Sequence, residues 1–228
     1  LIYFVSLLHH QSLNFGYVAI AYNQIQTYMK TFPAWLINVS NVLENIRIHN
    51  ELNRLVYKLE DMYIRDELTG LYNRRGLENL GEKYFNQALE KQAKLMVLSA
   101  DLDDLKKTND NYGHAGGDIA LKVLAEALDF AADDDEICAR FGGDEFLVIG
   151  LDYDVEKAHR FIRRFIEKVN EFNHSDKYEF NVYVSYGWNL YSPNEETTLE
   201  ECLAKADIKM YQQKKQKTSL RLKANIMQ

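Results

Sequence analysis

Two short apolar runs, residues 136–141 (Glu-Ile-Cys-Ala-Arg-Phe) and 146–151 (Phe-Leu-Val-Ile-Gly-Leu), are joined by nothing more than Gly142-Gly143-Asp144-Glu145. They read as two strands of a hairpin whose glycines permit positive φ and close backbone approach. A turn alone needs no pair of acidic residues at its tip. A second apolar run, residues 94–100, reads as a buried strand and ends on Asp101-Leu102-Asp103-Asp104. By itself that cluster has the composition of an ordinary surface turn. If the two strand systems are neighbours in one sheet, however, two carboxylate groups meet at one end of it. Oxygen ligands on rigid strand ends can hold a hard cation such as Mg²⁺. Two such groups on adjacent strands suit two-cation phosphoryl transfer, in which the metals neutralise a triphosphate and stabilise both oxygens of the displacement.

The rest of the chain sets the context. It carries 34 acidic and 27 basic residues over 228 positions, but only Lys30, Glu44 and Arg47 fall within the first fifty, which implies two regions with different roles. A net charge of −7 excludes a general binder of nucleic-acid polymers, which relies on displaced counterions. With 46% apolar residues and two prolines the chain is neither disordered nor a linker. Cys138 and Cys202 stand far apart and fit neither a disulfide framework nor a zinc knuckle, which points to a reduced, cytoplasmic setting. No apolar run reaches the ~20 residues that cross a bilayer, so no membrane contact is expected within this fragment, although an anchor could lie upstream. With Leu1 in place of an initiator Met, a fragment of a longer protein is expected.

Residues 1–8 and 15–21 read as a strand pair, and a helical pattern follows from Asn23 through Trp35, Ile37, Val42 and Ile46. This is either the close of a sheet-and-helix sensor or an extension packed on the downstream domain. Ile48, Leu52, Leu55, Leu59 and Met62 then recur with the 3.5-residue rhythm of a coiled-coil seam. The alternative is a helix lying on its own domain's core. Beyond it, Gly70 breaks the helix and another starts after Asn73.

Arg140-Phe141-Gly142-Gly143-Asp144-Glu145-Phe146 resembles the signature of the GGDEF family, the diguanylate cyclases that condense two GTP into cyclic di-GMP. Asp66-x-Leu68-Thr69-Gly70-Leu71-x-Asn73-Arg74 is similar to the family's opening motif. The segment from Asp101 through Asn109, Asp110, Gly113, His114 and Gly117 to Asp118 resembles its metal- and base-binding stretch. Ser185-x-Gly187 and Ala206-Asp207-x-x-Met210-Tyr211-x-x-Lys214 match its later strand and closing helix, so the likeness covers roughly residues 61–218. It implies an α+β fold of the ferredoxin-like, polymerase-palm type. The sheet is expected from 94–101, 136–141, 146–151 and 178–190, backed by helices at 116–131, 155–172 and 199–213. The expected organisation is a GAF-like sensor remnant at 1–47, a signalling helix at 48–65, the GGDEF domain at 66–220 and a tail at 221–228.

Residue by residue, the resemblance implies Asp101 and Asp144 as catalytic metal ligands, helped by the Leu102 carbonyl. Glu145 becomes a further ligand or the group that deprotonates the ribose 3′-hydroxyl. The cofactor is two Mg²⁺ per site, with Mn²⁺ as an alternative. Main-chain N–H groups of Asp103, Asp104, Leu105 and Lys106 face the β- and γ-phosphates, and the side chains of Lys106 and Lys214 add charge. Gly142 and Gly143 let the substrate approach the hairpin. Asn109 and Asp118 read guanine, whose N1–H and N2–H₂ donors suit a carboxylate fork. Read as structure only, Asn109 is a helix cap, Asp118 a first-turn carboxylate and Lys214 part of a solvated lysine run; His114 reads as structural. A homodimer is implied, because each protomer binds one GTP and the two 3′-hydroxyls attack across. The alternatives are a GTP or cyclic di-GMP receptor, a dimerising output domain, and a cyclase acting on one nucleotide. Two departures stand out. Asp133 and Glu136 replace the Arg-x-x-Asp product site of many relatives, which predicts no tight product inhibition. Thr218 stands where a basic residue usually meets the terminal phosphates, so Lys217 or Lys215 is the expected substitute.

Overall fold

All eight residues of strand β3 (Leu95–Leu102) are buried, so both faces of the sheet it centres are covered. In the computed structural model, which describes residues 2–22, 25–133, 136–175, 177–193 and 197–226, packing divides the chain into Leu1–Asp61 and Met62–Gln228. In the second unit β4 (Glu136–Gly142), β5 (Glu145–Leu151) and β6 (Val184–Tyr191) join β3 in the order β4-β5-β3-β6. Every pairing is antiparallel. Alternation sends Met96, Leu98, Ala100 and Leu102 to one face, where they meet α3 (Leu105–Ala131) and α4 (Val155–Asn173). Leu95 and Val97 point the other way, to α2 (Arg74–Lys91) and α5 (Leu199–Ile226). Fully burying each such leucine or valine stabilises the fold by about 1.5–3 kcal/mol. This is the expected helix-backed, mostly antiparallel architecture.

Helix starts follow local chemistry. Asn73 caps α2 by accepting the Gly76 N–H at 3.0 Å, and its amide donates to the Tyr63 and Arg65 carbonyls. Asp154 caps α4 through the Lys157 N–H at 2.7 Å. Three expectations need correction. The span of α3 holds two helices that meet at Gly113, whose φ of 72° and ψ of 174° are not helical; the second is the expected helix, starting a turn or less before 116, and the first, from Leu105, was not expected. The last strand begins at Val184 rather than 178. Tyr178 and Phe180 pack on Phe172, while Asn173 brackets the Val182 N–H and C=O, so side chains replace the ladder there. Helix α5 runs on to Ile226, past the expected end at 213 and into the expected tail.

In the first unit β1 (Ile2–His10) and β2 (Leu13–Tyr22) form the expected hairpin, and α1 (Ile25–Ile64) follows; Leu1 and Asn23 lie outside the described residues. Its buried face differs from the expected one. Phe32, Ser40 and Glu44 are buried, whereas Trp35, Ile37, Val42 and Ile46 are exposed. The fork of Arg47 on Glu44, two bonds of 2.9 Å, holds that carboxyl below its usual range. Ile48, Leu52 and Leu55 are likewise exposed, so they serve no core in this chain; Leu59 and Met62 lie outside the described side chains. Among the described residues no helix is long and apolar enough to cross a membrane, and Cys138 and Cys202 are buried.

Candidate active site

The two carboxylate groups do meet. Strands β3 and β5 are neighbours, and their register sets Asp101 directly opposite Glu145. The Leu102 N–H donates to the Asp144 carbonyl at 3.1 Å, which ties the two acidic segments together. Asp101 is buried, and burial lifts its carboxyl above the usual range; Asp144 and Asp103 push it further in that direction, while Lys214 opposes. The Lys214 ammonium donates to Asp101 Oδ1. Burial lowers the Lys214 pKa, but its bond to Asp101 and the surrounding carboxylates outweigh that, so the ammonium is held above its usual range. Lys214 is thus the counter-ion of a buried aspartate, not a member of a solvated run. Among the described residues no three His, Cys, Asp or Glu side chains are gathered as a metal would gather them.

The hairpin tip is braced by residues to which the sequence reading gave no role. Arg140 donates through Nε and one Nη to the Gly143 carbonyl, at 3.1 and 2.8 Å, and through the other Nη to Asp66. Asp66 also accepts the Thr69 N–H and hydroxyl. Burial would raise the Asp66 carboxyl, yet Thr69 and Arg140 hold it below its usual value. A lone arginine in an apolar strand, two positions before a pair of glycines, was the available signal. Its partner 74 residues upstream was not readable. Neither Gly142 nor Gly143 has positive φ, contrary to expectation. Gly143 instead faces open space, with no atom within 4 Å of where a Cβ would stand.

On the other side of β3, Asp103 is less available than expected. Its N–H donates to the Tyr183 carbonyl at 2.8 Å, and its buried carboxylate accepts the Ser185 hydroxyl at 2.7 Å while Oδ2 has no hydrogen bond. Its N–H is therefore not open to a ligand, and any open N–H groups start after it. Asp104 takes the left-handed conformation, φ 59° and ψ 26°, pairs with Lys107 at 2.8 Å and opens α3. The first N–H groups of α3, at Leu105 and Lys106, have no intrahelical acceptor and stand at the positive end of the helix dipole. Asn109 lies inside α3 rather than at a cap. A Cβ on Gly117 would lie 2.9 Å from Asn109 Cγ and closer still to Oδ1, so that glycine gives the carboxamide its place. Asp118, one residue on, is exposed, as are Lys106 and His114.

The residues at both departures are engaged elsewhere. Thr218 donates its hydroxyl back to the Lys214 carbonyl at 2.9 Å. Lys215 lies over the Tyr211 ring, and Lys217 donates to the Val184 carbonyl, 3.6 Å from Asp103 Oδ2. The Glu136 side chain is 1% exposed and accepts the Tyr153 hydroxyl at 2.5 Å and the Asp133 N–H at 2.6 Å, and Arg164 pairs with Asp133 at 2.9 Å. Asp134 and Asp135 lie outside the described residues.

Comparison with known proteins agrees with this geometry. The family described as "Diguanylate cyclase, GGDEF domain" matches residues 63–219. The chain is 36% identical over 154 residues to the diguanylate cyclase DgcP of Escherichia coli, covering 67% of this chain and 45% of that protein. It is 33% identical over 174 residues to the cyclic di-GMP phosphodiesterase NbdA of Pseudomonas aeruginosa, covering 75% of this chain and 22% of that one. The chain therefore spans less than half of either relative. Among solved structures, the diguanylate cyclase SiaD of Pseudomonas aeruginosa, crystallised with its activator SiaC, superposes with a TM-score of 0.66 at 23% identity, over 84% of this chain and 74% of that one. A truncated TpbB (YfiN) from the same species, comprising only its GGDEF domain, superposes with a TM-score of 0.60 at 31% identity, over 67% and 89%. With the signature on a β4–β5 hairpin beside an aspartate-ended β3, the chain belongs to the GGDEF family of diguanylate cyclase domains.

Proposed function

We propose that this chain is a diguanylate cyclase that condenses two GTP into cyclic di-GMP and two pyrophosphates, working as a homodimer regulated by the N-terminal unit. The observation that carries the reading is the register of Asp101 against Glu145, with Asp144 beside them and the open N-terminus of α3 next to the same strand end. Asp101, Asp144, Glu145 and the Leu102 carbonyl are oxygen donors only, the set suited to Mg²⁺ or Mn²⁺. A buried Asp101 that already requires a positive partner fits such an ion. When bound, the metals would supply charge neutralisation of the triphosphate and activation of the attacking hydroxyl.

This chain's residues do the rest. The Leu105 and Lys106 N–H groups hold phosphate oxygens, and Lys214 moves its charge from Asp101 to the triphosphate. Asn109 and Asp118 grip the guanine edge; adenine would leave Asp118 unpaired, a discrimination of roughly 1–3 kcal/mol. Glu145 accepts the 3′-hydroxyl proton, and the oxygen attacks the partner-bound α-phosphate as pyrophosphate leaves. The exposed Ile48, Leu52 and Leu55 supply a seam on which two copies pair and through which upstream change would alter how often the sites oppose.

The test is incubation with GTP or ATP across a range of Mg²⁺ concentrations, followed by chromatography. Cyclic di-GMP from GTP alone, rising with Mg²⁺, supports the reading. GTP binding without turnover favours a receptor, neither favours a dimerising output domain, and a cyclic mononucleotide favours a cyclase acting on one molecule.

A further inference from the structure

Strand β6 is the last of its sheet, with β3 on one side and, among the described residues, no strand on the other. Along such a strand alternate residues turn their N–H and C=O groups outward, here those of Val184, Tyr186 and Trp188. Helix α5 closes that side. Lys209 donates to the Trp188 carbonyl at 2.9 Å and to Asn189 Oδ1 at 3.0 Å. Gln213 Oε1 accepts the Tyr186 N–H at 2.7 Å, and Lys217 donates to the Val184 carbonyl. Each rung lies four residues further along the helix and two back along the strand. Four helix residues rise about 6.0 Å and two strand residues about 6.7 Å, so the repeats stay in step over all the rungs. Polarity matches as well: lysines, which only donate, meet carbonyls, and a glutamine oxygen meets the N–H. At the opposite edge the backbone of Tyr72 covers β4, donating to the Cys138 carbonyl at 3.1 Å and accepting the Arg140 N–H at 2.8 Å. At β6 the same task falls to side chains.

The strand carries no protection of its own. Residues 184–191, Val-Ser-Tyr-Gly-Trp-Asn-Leu-Tyr, have no charge and no proline and are rich in branched and aromatic side chains. An uncharged edge of this composition is a template for its own copy, because the segment can pair antiparallel with itself. We propose that α5 guards the β6 edge: Lys209, Gln213 and Lys217 take the hydrogen bonds that a fifth strand would make, and so hold off strand-to-strand pairing with β6 of a second copy. The guard does not rest on the cyclase reading, and its test uses no nucleotide.

The experiment compares the whole chain with Lys209→Ala/Gln213→Ala, which removes two rungs, and with Lys209→Arg/Gln213→Glu, which keeps a donor and an acceptor in place. Lys217 is left alone because it also faces Asp103. Alanine suits a helix and adds no large apolar surface, and both pairs make the chain more acidic by the same amount, so charge does not separate them. Light scattering over a concentration series reads the mass, and hydrogen exchange followed by mass spectrometry reads residues 184–191. The alanine pair should melt as wild type and, when dilute, exchange in that segment at least about threefold faster. When concentrated it should at least about double the wild-type mass and regain protection in 184–191, because the second copy replaces the lost rungs. The Arg/Glu pair should keep wild-type mass and exchange. Gln213→Ala alone, the milder change, should give the same signs if the alanine pair melts early. Wild-type mass at every concentration, unchanged exchange when dilute, association of both pairs alike, or association that leaves 184–191 unprotected overturns the proposal.

Discussion

Replacing Gly187 by alanine tests how tightly α5 must dock for the site to exist. A Cβ there would stand 2.5 Å from the Ala206 carbonyl oxygen and 2.6 Å from Lys209 Cβ, and inside contact distance of the Met210 nitrogen. Two of the three obstacles are backbone, so no rotamer change relieves them. Ordinary contacts need about 3.5 Å, so α5 has to retreat by about 1 Å. Overpacking on that scale costs about 1–3 kcal/mol. For a unit of this size that corresponds to a fall in Tm of roughly 3–10 °C. The same retreat carries Lys214, one turn beyond Met210, away from Asp101. A 1 Å misplacement near reacting groups lowers rates by up to about 100-fold. Melting curves and kcat/KM for GTP check both effects together. A Gly187→Ala protein that melts within 1 °C of wild type (an interval roughly that of ordinary scatter) and turns over GTP at the same rate refutes the argument.

Gly143→Ala should do the reverse: with open space at its Cβ it should change stability by no more than about 0.5 kcal/mol, yet slow GTP turnover if substrate passes the hairpin there. Arg140→Ala should cost about 0.5–1.5 kcal/mol, read by urea denaturation, because the exposed Gly143 carbonyl loses its donor to water and Asp66 keeps only Thr69. The lowered pKa of Asp66 gives a sign for acid: its stabilisation is complete above the unfolded value of 3.8 and is lost as pH falls through the lower folded one. Asp66→Asn should therefore flatten the acid limb of the stability curve, and an unchanged slope would contradict the assignment. Glu136 and Asp133 are engaged with Tyr153 and Arg164, so cyclic di-GMP should show no submicromolar binding in calorimetry that depends on these two positions.

The strands and their acidic ends were legible because each signal was local: apolar runs of six or seven residues bounded by glycine or aspartate. Their adjacency was only a condition of the reading, and the register of β3 against β5 meets it. The first helix of α3, from Leu105, was not legible. Gly113 does mark a boundary between two helices, as the glycines suggest, whereas Gly117 makes room for Asn109. The false strand at 178–183 has strand-like aromatic residues whose partners, Phe172 and Asn173, lie on α4. The brace from Arg140 to Asp66 spans 74 residues, and nothing in a single sequence pairs them. The reach of Lys217 to Val184 and Asp103 was not readable either, because it depends on where α5 crosses the edge of β6.

If Asp101, Asp144 and Glu145 form one condensing site, the stoichiometry of a GTP reaction with Mg²⁺ shows it, run with wild type beside an Asp144→Ala variant shown to melt normally. One cyclic di-GMP and two pyrophosphates are expected for every two GTP consumed, and no product from the variant. Product formation by Asp144→Ala at the wild-type rate, or GTP consumed without cyclic di-GMP by wild type, would contradict it.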